Sequence, residues 1–290
     1  MVSVRTALMD LAKRVRRHSL GMIYHAGSGH PGGSLSAADI LTVLYARELR
    51  PKPPRLDRPP DRDRFILSKG HACPALYAIA AEVGLLPREA LAGFRKIGCT
   101  CQGHPHVGST PFVETSTGSL GQGFSAAIGV ALGLRLQGHG SRVYVMLGDG
   151  ELQEGEVWEG AMCATHHGLD NLCAVVDYNK MQSDEYNKNI MDLEPLDEKW
   201  KAFGWNVLQI NGHDLDAIAR AFVSAKAYQG RPTAIIAHTI KGRGVSFMEG
   251  SPLWHGSVKL KREELVAALR DLDTPPETID AYLEGRFDDV

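Results

Sequence analysis

What this 290-residue chain lacks narrows its function before any motif is read. It has no long hydrophobic run. The nearest, Phe124 to Leu134 (FSAAIGVALGL), is broken by glycines and falls far short of a membrane span, so no membrane role is expected. It carries almost no net charge, with Lys+Arg 32 against Asp+Glu 34, so no global basic field draws nucleic acid or anionic lipid. The five cysteines are an odd number in a long chain, which points to reduced thiols and a cytoplasmic setting rather than a disulfide framework. Asp10 interrupts the opening MVSVRTALMDLAKRVRRHS before a signal-peptide core could form. GxxxxGK[ST] and a strand-borne GxGxxG are both missing, which removes the nucleotide folds built on them. An EF-hand loop beginning at Asp149 fails because its sixth position is Glu154 rather than glycine.

What is abundant is glycine, 31 residues in clusters, on an ordinary globular background of 43% hydrophobic and 23% charged residues. Apolar periodicity predicts helices near 3–24, 35–49, 74–83, 87–96, 122–137, 155–168, 193–203, 214–229 and 261–271. Short β-branched runs predict strands at 65–68, 142–147, 172–177, 206–210 and 232–238. Several lack polar alternation, as strands covered on both faces do. The alternation of the two predicts an α/β fold, a mostly parallel sheet flanked by helices, with ligands beyond the carboxyl ends of the strands. No internal repeat is found. PKPPRLDRPPDRDR (Pro51 to Arg64) holds five prolines and reads as a surface loop rather than a domain boundary. Residues 1–290 are therefore expected to form a single domain, with a C-terminal helical extension over about 259–290. The basic run KRVRRH (Lys13 to His18) reads as the solvated face of a helix, with a phosphate or subunit contact as the alternative.

The sharpest chemical feature is VMLGDGELQEG followed by LCAVVDYNKMQSD. Asp149 ends one predicted strand, and Asn179, 30 residues on, lies just past the end of the next. One crossover would bring both to the same rim. A carboxylate, an amide oxygen and the Met181 carbonyl are hard ligands that suit Mg²⁺ or Ca²⁺, leaving positions for phosphate and water. Gly148 and Gly150 would let the backbone close around that ligand. The alternative is that Asp149 only caps the following helix. Histidines recur beside glycine in GSGHPGGS (His30), SKGHACP (His71), CQGHPHVG (His104, His106) and WHGS (His255). They are either buried structural residues or groups that donate to phosphate and move protons. CTCQGHPH (Cys99, Cys101, His104, His106) is spaced more tightly than usual zinc sites. In TSTGSLGQG, Gly118, Gly121 and Gly123 precede a small-residue helix, which serves close packing, backbone recognition of a flat heterocycle, or both.

GSGHPGGSLSAADIL, SKGHA, GHP, TGSLGQG, GDGELQEG, DYNKMQ and WHG, in this order over roughly residues 20–257, resemble the N-terminal half of a transketolase. The resemblance implies a thiamin diphosphate-binding fold and a transferase that moves a two-carbon ketol unit from a ketose to an aldose, as sugars or sugar phosphates. It implies that Asp149, Asn179 and the Met181 carbonyl hold Mg²⁺ (Ca²⁺ being the other fit) on the cofactor's diphosphate. Gly148 belongs to the same motif, and Gly150, His71 and His255 would contact the diphosphate. The Gly118 and Leu120 backbones would meet the cofactor's rings. His30, His104 and His255 would face the sugar, with His30 or His255 as base. Glu154 matches a family glutamate that links cofactor sites across a subunit interface.

Ordinary members are longer by a second, pyrimidine-binding half. The chain therefore resembles the separately encoded N-terminal subunit of a split transketolase. Such a subunit would be inactive alone and paired with a separate C-terminal subunit in a heterotetramer of two plus two. A 2-oxo acid dehydrogenase subunit would share GDG…N but not His30 with TGSLGQG. A deoxyxylulose phosphate synthase is normally one long chain. A non-catalytic regulatory subunit of this fold would have no use for intact Asp149, Asn179 and four histidines.

Overall fold

All five predicted strands form in the computed structural model, which describes residues 3–50, 61–183 and 185–290. Pro51–Pro60 of the expected surface loop lie outside the described residues. In chain order the strands are β1 (Arg64–Leu67), β2 (Val143–Gly148), β3 (Leu172–Tyr178), β4 (Met181–Gln182), β5 (Glu185–Tyr186), β6 (Asn206–Asn211) and β7 (Thr233–His238). Five of them make one sheet in the order β1-β2-β3-β7-β6, every neighbouring pair parallel. β4 and β5 form a separate small antiparallel ladder.

The helices are α1 (Val4–Ala26), α2 (Pro31–Val43), α3 (Cys73–Glu82), α4 (Gln122–Leu136), α5 (Gly155–His166), α6 (Asn187–Ile190), α7 (Leu196–Ala202), α8 (Leu215–Ala227), α9 (Arg262–Asp271) and α10 (Pro276–Glu284). Along β2, Tyr144 and Met146 pack into a core shared with α1, α2, α3, α8 and α9. Val143, Val145 and Leu147 pack into a second core shared with α4, α5 and α7. Helices on both faces explain why these strands show no polar alternation. Among the described residues no helix is long and apolar enough to cross a membrane.

Three expectations are corrected. α2 starts at Pro31, four residues earlier than periodicity placed it. Proline suits the first helical position, and Gly32 is needed there because a Cβ would come 2.8 Å from both Lys241 Cγ and the Trp254 carbonyl. The stretch expected as a helix over 87–96 closes only as a 3₁₀ turn, Arg88–Gly93, because Pro87 precedes it, Gly93 weakens it and Arg95 turns left-handed at φ 60°. The basic run of α1 is not a solvated face. Arg14 and His18 bond Glu82 at 2.7 and 2.9 Å, and Arg16, 5% exposed, forks onto Asp39 at 3.1 and 2.6 Å. Arg17 donates to the Leu272 carbonyl at 2.7 Å. α1 is covered by α2, α3 and the C-terminal helices, so its cations go inward and have to be paired.

The C-terminal segment is part of the α1 core. Leu265, Leu269, Tyr282 and Phe287 are buried in the same cluster as Val15 and Met22, and a Cβ at Gly21 would meet the Phe287 ring at 2.9 Å. Phe287→Ala should therefore cost about 3–5 kcal/mol in urea denaturation. Burial alone would raise the Asp39 carboxyl, but Arg16 and a His213 hydrogen bond overcome it and hold it at about 2, below its ordinary 3.8. The folded value is the lower one, so this contribution is complete above about pH 4 and fades as pH falls toward 2. Arg16→Met should cost about 3–5 kcal/mol near neutrality and less at pH 3, read from denaturation curves at both.

Candidate active site

Four strands empty into one place. β1 runs on into Lys69–His71, β2 into Asp149–Gly150, β3 into Asn179 and Lys180, and β7 into Thr239–Lys241. Between them lies a cavity of about 200 Å³. Its walls include His71, Leu120, Gly148, Asp149, Gly150, Glu154, Asn179, Met181 and His255, together with Lys69, Glu151, Gln182 and Lys241.

Asp149 and Asn179 meet here. Asp149 accepts from the Gly150 amide at 2.8 Å through Oδ1 and from the Lys180 amide, next to Asn179, through Oδ2. Asn179 Oδ1 accepts from the Met181 amide at 3.2 Å. The capping alternative is also realised, since Asp149 caps the short 3₁₀ turn Gly150–Gln153. Asp149 is 2% exposed, and burial first, then the neighbouring Asp177, pushes its pKa up. A carboxylate under that pressure is relieved by a cation on its pocket side. One carboxylate, one amide oxygen and one main-chain carbonyl make a hard, singly charged set that fits a divalent ion still carrying phosphate and water ligands. The cradle is tight: a Cβ on Gly150 would come 2.7 Å from Gln182 Cβ. Among the described residues no group of three or more His, Cys, Asp or Glu gathers for a metal, the Cys99–His106 stretch included.

Two lysines line the same cavity. Lys69 is buried, pairs with Asp177 and donates to the Gly33 carbonyl at 3.1 Å. Burial opposes ionisation of Asp177, but Lys69, with Ser36 and Thr239 donating to the same carboxylate, holds it below the usual range. Lys241, also buried, donates to the Met181 carbonyl at 3.3 Å and lies 2.6 Å from His255 Nδ1. His30, His71 and His255 stand ring against ring, with centroids 5.2–5.7 Å apart. All three are held neutral. Burial is the larger cause and nearby cations the smaller, taking His30 to about 4, His255 to about 3 and His71 well below 6.5.

Glu151 braces the mouth. It accepts from Ser68 Oγ and from the Gly121 and Gly148 amides at 2.9 Å, tying the loop with Gly118 and Leu120 to the end of β2. Gly118 has φ 138°, and a Cβ there would sit 2.8 Å from His104 Cδ2. His104 and Gly118 thus pack on each other outside the cavity lining, while His30 joins it through His71 and His255. Glu154 and His104 are exposed at the rim. His106 points away from this group, toward Ser109. Sequence reasoning missed Lys69, Lys241, Glu151 and Asp177. Both lysines follow a predicted strand and precede a glycine, the same escort that singled out the histidines.

A family model described as transketolase, thiamine diphosphate binding domain, matches residues 8–279. The chain is 44% identical over 266 residues to the 6-deoxy-6-sulfo-D-fructose transketolase subunit SqwG of Clostridium sp., covering 92% of this chain and 96% of that one. It is 36% identical over 277 residues to an apulose-4-phosphate transketolase subunit of Phocaeicola vulgatus, covering 95% and 97%. Among solved structures, the transketolase of Leishmania mexicana superposes with a TM-score of 0.85 at 30% identity, covering 97% of this chain and 44% of that one. The chain thus spans less than half of the full-length transketolase structures it matches.

Lys69→Met would leave Asp177 charged, buried and unpaired. It should destabilise the fold by about 3–5 kcal/mol, and adding Asp177→Asn should recover part of that loss, both read by chemical denaturation.

Proposed function

The chain belongs to the transketolase family, and on that premise we propose that it is the cofactor-binding subunit of a split transketolase. It would use thiamin diphosphate and Mg²⁺ to move a two-carbon ketol unit from a ketose to an aldose. The observation that carries this is the pocket itself, lined by three oxygen donors, two buried amines and two neutral imidazoles, with His30 packed behind those rings. That pairing suits a divalent ion and a diphosphate side by side. The split arrangement is supported by relatives named as subunits, which this chain matches over 96% and 97% of their length.

In this reading Asp149, Asn179 and the Met181 carbonyl hold the ion, with Ca²⁺ as the other hard cation that fits. Lys241, His71 and His255 take the diphosphate, with Gly150 in contact beside them and Gly148 leaving the backbone room to close. The Gly118 and Leu120 backbones, pinned by Glu151, face the cofactor's rings. Thiamin diphosphate, when bound, supplies the electron sink that lets a carbon–carbon bond beside a carbonyl break. His30, His104 and His255 meet the sugar's oxygens at the mouth and keep water from the reacting carbon. Glu154, exposed on the rim, serves the interface with the partner. That partner is a separate C-terminal subunit with the pyrimidine-binding half, the two forming a heterotetramer of two plus two. Residues 1–290 act as one domain within it. Five unpaired cysteines support a reducing, cytoplasmic setting.

The test is reconstitution with that partner. Asp149→Ala should lower cofactor-dependent ketol transfer by about 100-fold or more at ordinary Mg²⁺. It should also weaken thiamin diphosphate binding in calorimetry. Undiminished transfer by the variant would refute the assigned role.

A further inference from the structure

We propose that Arg95 is a positioning residue that fixes the tautomer of His30, so that His30 meets a substrate oxygen as a hydrogen-bond donor through Nε2. The proposal rests on the reading of the site as a ketol-transfer centre and deepens it, replacing the expectation that His30 acts as a base. Arg95 Nη2 lies 3.4 Å from His30 Nδ1, and Nη1 donates to Ser28 Oγ at 2.8 Å. A guanidinium has donors and no acceptor. His30 Nδ1 must therefore accept, and the single proton of the neutral ring sits on Nε2. Burial, Arg95, His104 and Lys241 all disfavour a second proton.

The surroundings hold Arg95 to this task. Its backbone is left-handed at φ 60°, a strained choice for a residue with a side chain, and its amide is anchored to the Cys101 carbonyl at 2.9 Å. The guanidinium lies over the Phe94 ring, 5.6 Å from its centroid. Gly103 makes room for it, since a Cβ there would stand 3.2 Å from Nε. Among the described residues Arg95 forms no ion pair, and its buried Nε has no hydrogen-bond partner. A cation spared a carboxylate keeps its full field on the imidazole beside it. At the ring's far edge Gly256 leaves Nε2 clear, because a Cβ there would be only 2.5 Å away.

The first test needs neither cofactor nor partner. Long-range ¹H–¹⁵N NMR of the ¹⁵N-labelled full chain should show His30 protonated at Nε2 and bare at Nδ1. Arg95→Met, with unchanged circular dichroism, should mix the two tautomers. A bare Nε2 in the unsubstituted chain, or an unmoved tautomer in a folded Arg95→Met, would overturn the proposal. The second test uses the assembled enzyme. His30→Gln puts an amide N–H near the Nε2 position. It should keep kcat/KM within about tenfold, whereas His30→Leu should lose about 100-fold or more. Equal losses in both variants would count against a donor role. An assembly that transfers no ketol unit at all would defeat the functional reading, while the NMR result would still decide the role of Arg95.

Discussion

Three carboxylates are driven almost out of water where β2 and β3 end: Asp149 and Glu151 at 2% exposure and Asp177 at 0%. How each charge is met organises everything around them. Asp177 is answered by Lys69 from the end of β1, Ser36 from α2 and Thr239 from the end of β7, so one carboxylate gathers three elements. Glu151 is answered by Ser68 and two amides, which draws the start of α4 onto the end of β2. Asp149 receives two amides and keeps a side open to the cavity. Buried charge is costly unless compensated, so the one left partly uncompensated marks where a ligand belongs.

The basic residues of the cavity follow the same logic with the sign reversed. The three imidazoles beside the two buried lysines are held neutral by burial and by nearby cations, Arg95 first among them at His30. A neutral imidazole has one donor and one acceptor, and its neighbour decides which end is which. Arg95 faces one end of His30, and Lys241 faces one end of His255. Fixed cations can therefore attract an anion and orient the neighbouring rings at the same time.

Much of the site was legible because it is local. Asp149 and Asn179 are separated by one strand–helix–strand passage, and a parallel sheet returns such residues to the same rim. Gly118 and Gly150 were visible as glycines, though the collisions that require them, with His104 and Gln182, were not. The lysines were hidden in plain view. Along the chain only its place between a predicted strand and a glycine distinguishes Lys69, paired with Asp177 over 108 positions, from a surface lysine. The basic run of α1 misled for the same reason, since charge along a helix shows which residues share a face and not what covers that face.

Strands, helices and turn glycines were therefore set by the sequence, through backbone preferences and apolar periodicity that act between neighbours in the chain. Tertiary structure alone decided which group meets which, such as Asp39 with His213 across 174 positions, and that position 32 admits no side chain because Lys241 stands beside it. Ion pairing and close packing depend on distance in space, and only the completed fold sets that distance.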